Sequence, residues 1–372
     1  MSSPCRVLIL NERDPLHPRT GGAETHVHEI FRRLASRGFE ITQAVSSFPG
    51  CAPERELDGI RLWRLGGLAT YYPRVAWTCL RETRRGNFDL VVECLNKVPF
   101  YSPIYSAVPV LAIVHHLFGE VAFRQVAWPL AATVWSLEQL IPPLYSELPF
   151  VAISDSSRSD LIARGVPADN IRVSHCGIHH PEVDADTSRP RAHRVVYLGR
   201  VEPYKHVDLM LHAVAELSDR FPDTEILVVG RGSALSGLKT LARELGIDER
   251  TRFTGFVSDA ERDALLAGSR VCVCPSEKEG WGLTVIESAA LGTPVVARDA
   301  PGLRDSVRDG ETGFLVASGE VWEFADRIGE LLADDALAVR MSKASLAWSK
   351  TFDWDVAADE MAEALERARR SG

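Results

Sequence analysis

At 372 residues, with 45% hydrophobic and 25% charged residues, the chain is globular in composition and too long for one core, which implies two domains. A formal net charge of −9 argues against general affinity for nucleic acid, and the acidity belongs to the half beyond Glu182. The chain opens on no basic and apolar leader and has no apolar run of about 20 residues, so a cytoplasmic location is expected.

Residues 6–10 form a short apolar strand, and the loop after it leads to Gly21-Gly22 and a helix over about 23–37. Strand, glycines and helix start make an anion-binding arrangement, although a glycine pair is by itself more often only a turn. Glu24, in the first helical turn, reads as structural because a carboxylate suits the helix dipole there. Strand-like runs at 40–45, 60–65, 89–93, 110–114 and 150–154, with helical segments between most of them, imply a parallel sheet covered on both faces.

The run 111–114 leads directly into His115-His116. A histidine at a strand end is more often structural, but a titratable pair at the C-terminal end of a parallel strand is expected to turn one of its two rings, His115 or His116, toward a ligand. Zinc-ligand spacing is absent. The stretch 121–145 is apolar and aromatic with almost no basic residues, so it is expected to pack in the core or form a channel wall rather than dock on an anionic membrane. Ser154 is a candidate N-cap for a helix from Asp155.

Residues 181–193 turn polar, with Pro181 and Pro190, and read as a linker at 183–193 between domains 1–182 and 194–352. Asp184-Ala-Asp186 within it reads as solvated charge rather than a metal motif. A strand at 194–198 is followed by Gly199-Arg200-Val-Glu-Pro-Tyr-Lys205-His206 and a helix. Arg200 offers a planar fork and Lys205 a mobile charge, a pair suited to a diphosphate. Further strands are expected at 225–229, before Gly230-Arg231-Gly232, and at 252–257, 270–274, 294–297 and 314–316. An amphipathic helix closes the chain at 353–372. The cysteines Cys5, Cys51, Cys79, Cys94, Cys176, Cys272 and Cys274 are scattered and mostly in apolar runs, the pattern of reduced core thiols.

The richest stretch runs from Pro275 to Pro294. After the strand comes loop chemistry at 275–282, then apolar residues at helical spacing over 283–291. A helix start presents unpaired N–H groups to an anion, and Gly280 and Gly282 admit a ligand close to the backbone. Glu279 in the loop and Glu287 on the helix would repel a phosphate, so they are expected to accept hydrogen bonds from sugar hydroxyls flanking it. Sugar, phosphate and second sugar together describe a nucleotide sugar.

Glu279-Gly-Trp-Gly-Leu-Thr-Val-Ile-Glu287 resembles the E-x7-E signature of family 4 glycosyltransferases of the GT-B fold, and the order of elements is similar to that family over essentially the whole chain. The resemblance implies an α/β GT-B architecture. Two doubly wound Rossmann-like domains would face across a cleft, acceptor side first and donor side second, with the last helix crossing back to the first. It also implies a retaining, metal-independent hexosyltransferase with no cofactor. The donor would be a nucleotide sugar, UDP-hexose or UDP-N-acetylhexosamine before GDP-mannose. The acceptor would be a hydroxyl of a small molecule, glycan or glycolipid, with membrane contact only where it is lipid-linked.

By the same resemblance Glu279 meets the donor sugar and, with His116, forms the catalytic set, while Glu287 meets the ribose. Arg200 and Lys205 hold the phosphates. Gly21 and Gly22 approach them from the first domain, Val257 lies by the nucleobase, and Gly280, Trp281, Gly282, Leu283 and Thr284 complete the donor site. Cys176 and His179 depart from the family's Asn-Gly-Val/Ile-Asp element, in which Gly177 is retained and lets the chain turn. A GT-B epimerase and a non-enzymatic sugar-nucleotide-binding subunit are the rival readings. A Rossmann oxidoreductase is disfavoured because no G-x-G-x-x-G follows the first strand.

Overall fold

The computed structural model describes residues 4–96, 98–121, 123, 127–181 and 186–371. Contacts divide the chain into two compact units, Met1–Gly177 with Asp353–Gly372, and Ile178–Phe352. The expected boundary at Glu182 and Asp184 of the expected linker lie outside the described residues.

In the first unit eight strands, β1 (Arg6–Leu10), β2 (Glu40–Val45), β3 (Glu54–Leu57), β4 (Ile60–Arg64), β5 (Leu90–Leu95), β6 (Val110–Val114), β7 (Phe150–Ala152) and β8 (Ile171–Val173), form one sheet in the order β3-β4-β2-β1-β5-β6-β7-β8. All neighbours are parallel except β3 and β4. Val7 to Leu10 and Leu111 to Val114 are buried on both faces, as continuous apolar runs in a parallel sheet must be. The longer helices that cover it include α1 (Gly22–Ser36), α2 (Leu68–Arg84), α3 (Trp128–Glu138) and α4 (Asp155–Ala163). Ser154 caps α4, its hydroxyl accepting from the Ser157 N–H at 3.1 Å.

The expectation of core packing for 121–145 holds at Ile141 and Tyr145, which are buried, and fails on α3. Trp128 is 71% exposed and Leu130 55%, so this face is not core. Its apolar residues run almost all round the helix instead of lining one stripe, so a single buried face cannot take them all. Among the described residues no helix is long and apolar enough to cross a membrane.

The C-terminal helix Trp354–Ser371 belongs to this unit and packs on α1. Ala358, Met361 and Leu365 supply the buried face, and Arg33–Asp355 and Arg37–Asp359 pair at its rim, where ion pairs contribute at most about 1 kcal/mol.

The second unit is a six-stranded parallel sheet. Strands β9 (Arg194–Leu198), β10 (Glu225–Val229), β11 (Thr251–Gly255), β12 (Val271–Cys274), β13 (Val295–Arg298) and β14 (Gly313–Val316) stand in the order β11-β10-β9-β12-β13-β14. Around it lie α5 (Val207–Glu216), α6 (Leu235–Glu244), α7 (Asp259–Ala267), α8 (Leu283–Ala290), α9 (Val321–Ala333) and α10 (Asp335–Ser349). Its core joins Val195, Tyr197 and Val228 of the sheet to Met210, Phe324 and Ile328 of the helices. Cys272 and Cys274 of β12 are buried free thiols.

Gly177 has a different reason to be glycine from the turn expected of it. It shows no left-handed φ, but a Cβ on it would lie 2.2 Å from the Trp354 nitrogen, where the chain enters the last helix. Gly177→Ala should therefore destabilise the protein by more than about 2 kcal/mol, because a backbone contact cannot rotate away as a side chain can. Thermal unfolding at a clearly lower temperature is the expected result.

Candidate active site

In both sheets the strand order reverses beside the first strand, between β1 and β5 and between β9 and β12. Crossovers to either side part there and leave a crevice at the strand C-terminal ends, the usual ligand site of open α/β sheets. In the second unit the loops leaving β9 and β12 carry Arg200, Lys205 and Glu279, so three candidate residues converge by topology.

The β12 loop is held from below. Trp281 is buried against Phe352, ring centroids 5.1 Å apart, so its backbone rather than its indole faces the crevice. Gly282 is the N-cap of α8 at φ 88°, and Leu283 and Thr284, half buried, open the helix. The Glu279 N–H donates to the Pro301 carbonyl at 3.1 Å. Gly302 presses against the other side, and a Cβ there would lie 2.4 Å from the Glu279 carbonyl oxygen. Pro301 and Gly302 were not among the expected site residues, and only their place after β13 hinted at them.

The β9 loop is tied to its neighbours as closely. The Tyr197 hydroxyl donates to the Arg200 carbonyl at 2.7 Å, and Ser233 donates to Glu202 at 2.5 Å. Arg200 is exposed and donates to the Tyr204 hydroxyl at 2.8 Å. The Glu277 N–H reaches the Tyr204 carbonyl at 3.5 Å, and His206 Nε2 lies 3.4 Å from the Glu277 carboxylate. Lys205 Nζ pairs directly with Glu279 Oε1, the two side chains 12% and 20% exposed.

Charges respond to this packing. Burial works against the Lys205 ammonium, but the charge of Glu279, helped by Tyr204, more than offsets it and holds the pKa above the ordinary lysine value. Glu287 lies further along α8, 3.7 Å from the Arg262 guanidinium. Loss of hydration pushes its carboxyl above the usual range, with Arg262 opposing and Asp263 and Asp259 adding to the rise.

At the β11 end of the same edge Val257 is half buried, and the more prominent feature is one that sequence reasoning passed over. Phe256 is 76% exposed, with the Arg231 guanidinium 5.6 Å from its ring centroid. An exposed aromatic beside an arginine is a surface on which a planar ring can stack.

In the first unit, Gly21 and Gly22 stand at the start of α1, where the Glu24 carboxylate accepts the Gly21 N–H at 2.8 Å. His115 is buried, its Nε2 3.2 Å from Nδ1 of the buried His26, and its carbonyl accepts from the Ser157 hydroxyl. His116 is half exposed, its ring 5.0 Å from that of Phe118. The segment after it is pinned by buried Glu138, which accepts the Phe118 and Gly119 N–H groups at 2.7 and 2.8 Å. Among the described residues no group of three or more His, Cys, Asp or Glu is placed to hold a metal ion.

This fold is that of the GT-B glycosyltransferases. A sucrose-phosphate synthase structure from Thermosynechococcus elongatus superposes at a TM-score of 0.81, with 22% identity, over 99% of this chain and all of that one. Anabaena HepE, solved with UDP-glucose, superposes at 0.76 with 20% identity over 97% and 99% of the two chains. The family description "Glycosyltransferase Family 4" matches residues 20–181 and "Glycosyl transferases group 1" matches residues 183–348. A D-inositol 3-phosphate glycosyltransferase of Streptomyces avermitilis is 32% identical over the whole of this chain and 89% of its own length. The chain belongs to the family 4 glycosyltransferases, and it is a glycosyltransferase.

Because Gly302 sets the height of the Glu279 backbone, Gly302→Ala should lower the sugar-transfer rate by about tenfold or more. Far-ultraviolet circular dichroism should stay native. A fully active variant would show that the β13 loop does not position Glu279.

Proposed function

We propose that the chain moves a sugar from a nucleotide sugar to a hydroxyl acceptor with retention of configuration and without a metal ion. The observation that carries this is the convergence, on one strand-end edge of the second unit, of Arg200, Lys205, the N-terminus of α8 and the carboxylate of Glu279. Positive charge and helix N–H groups suit a departing diphosphate, and a carboxylate beside them suits the hydroxyls of the sugar it leaves. Glu287, further along α8, is assigned to the ribose. The exposed ring of Phe256, with Arg231 above it and Val257 next to it, gives a nucleobase a face to stack on.

With Arg200 and Lys205 spreading the charge of the leaving group, the reaction has no step that requires Mg²⁺ or a cofactor. Retention follows if the acceptor hydroxyl attacks from the face the nucleotide leaves and passes its proton to the departing phosphate. Glu279 orients the sugar and stabilises the positive charge that develops on it. Gly21 and Gly22 are assigned to the donor diphosphate and His116 to the reacting centre, since it is the more exposed of the two neighbouring histidines. HepE was solved with UDP-glucose, so a UDP-sugar is the first donor to assay. The curated relatives are named for D-inositol 3-phosphate, which supports a small phosphorylated polyol as the first acceptor. The cytoplasm is the compartment proposed.

The direct test is transfer from a panel of UDP- and GDP-sugars, with and without EDTA. Equal turnover in both is expected. Loss of activity with chelator and its return with Mg²⁺ or Mn²⁺ would contradict the metal-free reading.

His116→Ala should lower transfer by roughly 10²-fold while nucleoside diphosphate affinity, measured by calorimetry, stays near native. His115→Ala, which removes a buried ring from its contact with His26, should show itself first as a lower unfolding temperature. The reverse pattern would move the role to His115.

A further inference from the structure

We infer that Glu279 also sets how strongly the site prefers a nucleotide sugar to a bare nucleoside diphosphate, by competing for Lys205; this rests on the donor assignment above. The two residues come from different loops, and each loop is fixed. Glu279 is held at its backbone between the Pro301 carbonyl and Gly302, and Lys205 ends the turn Pro203–Lys205, whose Tyr204 carbonyl accepts from Glu277. The ion pair therefore belongs to the way the loops are built. Arg200 differs, since it donates to the neutral Tyr204 hydroxyl.

A diphosphate that takes up the Lys205 ammonium competes with Glu279 for its charge and brings a phosphate beside a carboxylate. With a nucleotide sugar the displaced carboxylate accepts hydrogen bonds from the sugar hydroxyls, and the exchange is compensated. With the diphosphate alone no hydroxyl lies there, and repulsion remains. The product carries more negative charge than the donor and so pulls harder on Lys205. Glu279 offsets that pull, and in this way it weakens the hold on the spent nucleotide once the sugar has gone.

The test is calorimetric titration of the full chain with UDP and, in parallel, GDP. Glu279→Gln and Glu279→Ala should each bind the nucleotide that the native chain binds about fivefold more tightly, the gain from removing a competing, partly exposed ion pair. Lys205→Ala should bind it more weakly, and Glu279→Gln placed in the Lys205→Ala background should bring no gain. An affinity unchanged or weakened by both Glu279 substitutions, or a gain that persists without Lys205, overturns the inference while leaving the donor assignment standing. A native chain that binds neither nucleotide overturns the assignment and the inference together.

Discussion

A parallel strand cannot be followed by its neighbour through a tight turn. The chain must cross the sheet and return, and with a fixed hand every strand then ends at the same edge. This constraint organises both units. In each, the first strand takes its place in the middle, β1 between β2 and β5 and β9 between β10 and β12, so the crossovers diverge where two central strands end. Residues far apart in the sequence, Lys205 and Glu279 among them, are brought into contact by strand order.

What converts that convergence into a defined site is mostly backbone. The β9 loop is tied through Tyr197 and Ser233, the β12 loop through Pro301 and the anchored Trp281, and the two are joined between Glu277 and Tyr204. The side chains of Lys205 and Glu279 are thus added to a frame that hydrogen bonds and packing elsewhere in the loops have already set. A carboxylate and an ammonium can then meet between the two loops without the loops giving way to them.

Much of this was legible in the chain before any coordinates. All six strands of the second unit were expected, the central ones because a strand buried on both faces reads as an unbroken apolar run. The start of α8 was visible because glycines precede an amphipathic pattern. The local signals failed where partners lie far apart in sequence. Strand β3, Glu-Arg-Glu-Leu, has neither an apolar run nor alternation, and it is a strand only because β4 lies beside it. Gly302 and Gly177 looked like loop glycines, and the backbones that crowd them belong to distant segments. The apolar stretch containing α3 suggested burial by composition, yet Trp128 and Leu130 stand in solvent. The pattern of candidate side chains in the second unit could be read from motif spacing, whereas the pairing of Lys205 with Glu279 and the stacking surface at Phe256 could not.

Strand β3 has an effect beyond its own unit. An open sheet ends in a row of unpaired N–H and C=O groups that can template a strand from another molecule, and a long, flat, apolar edge is where that begins. Here the outermost strand runs against the rest and exposes Glu54, Arg55 and Glu56, while the opposite edge, β8, is three residues long and carries exposed Arg172. The second unit is bounded by β11, with Arg252 exposed, and by the four-residue β14. Each border is charged or too brief to recruit a neighbour. Two large parallel sheets can therefore be carried in one chain at high concentration with little tendency to grow into intermolecular ones.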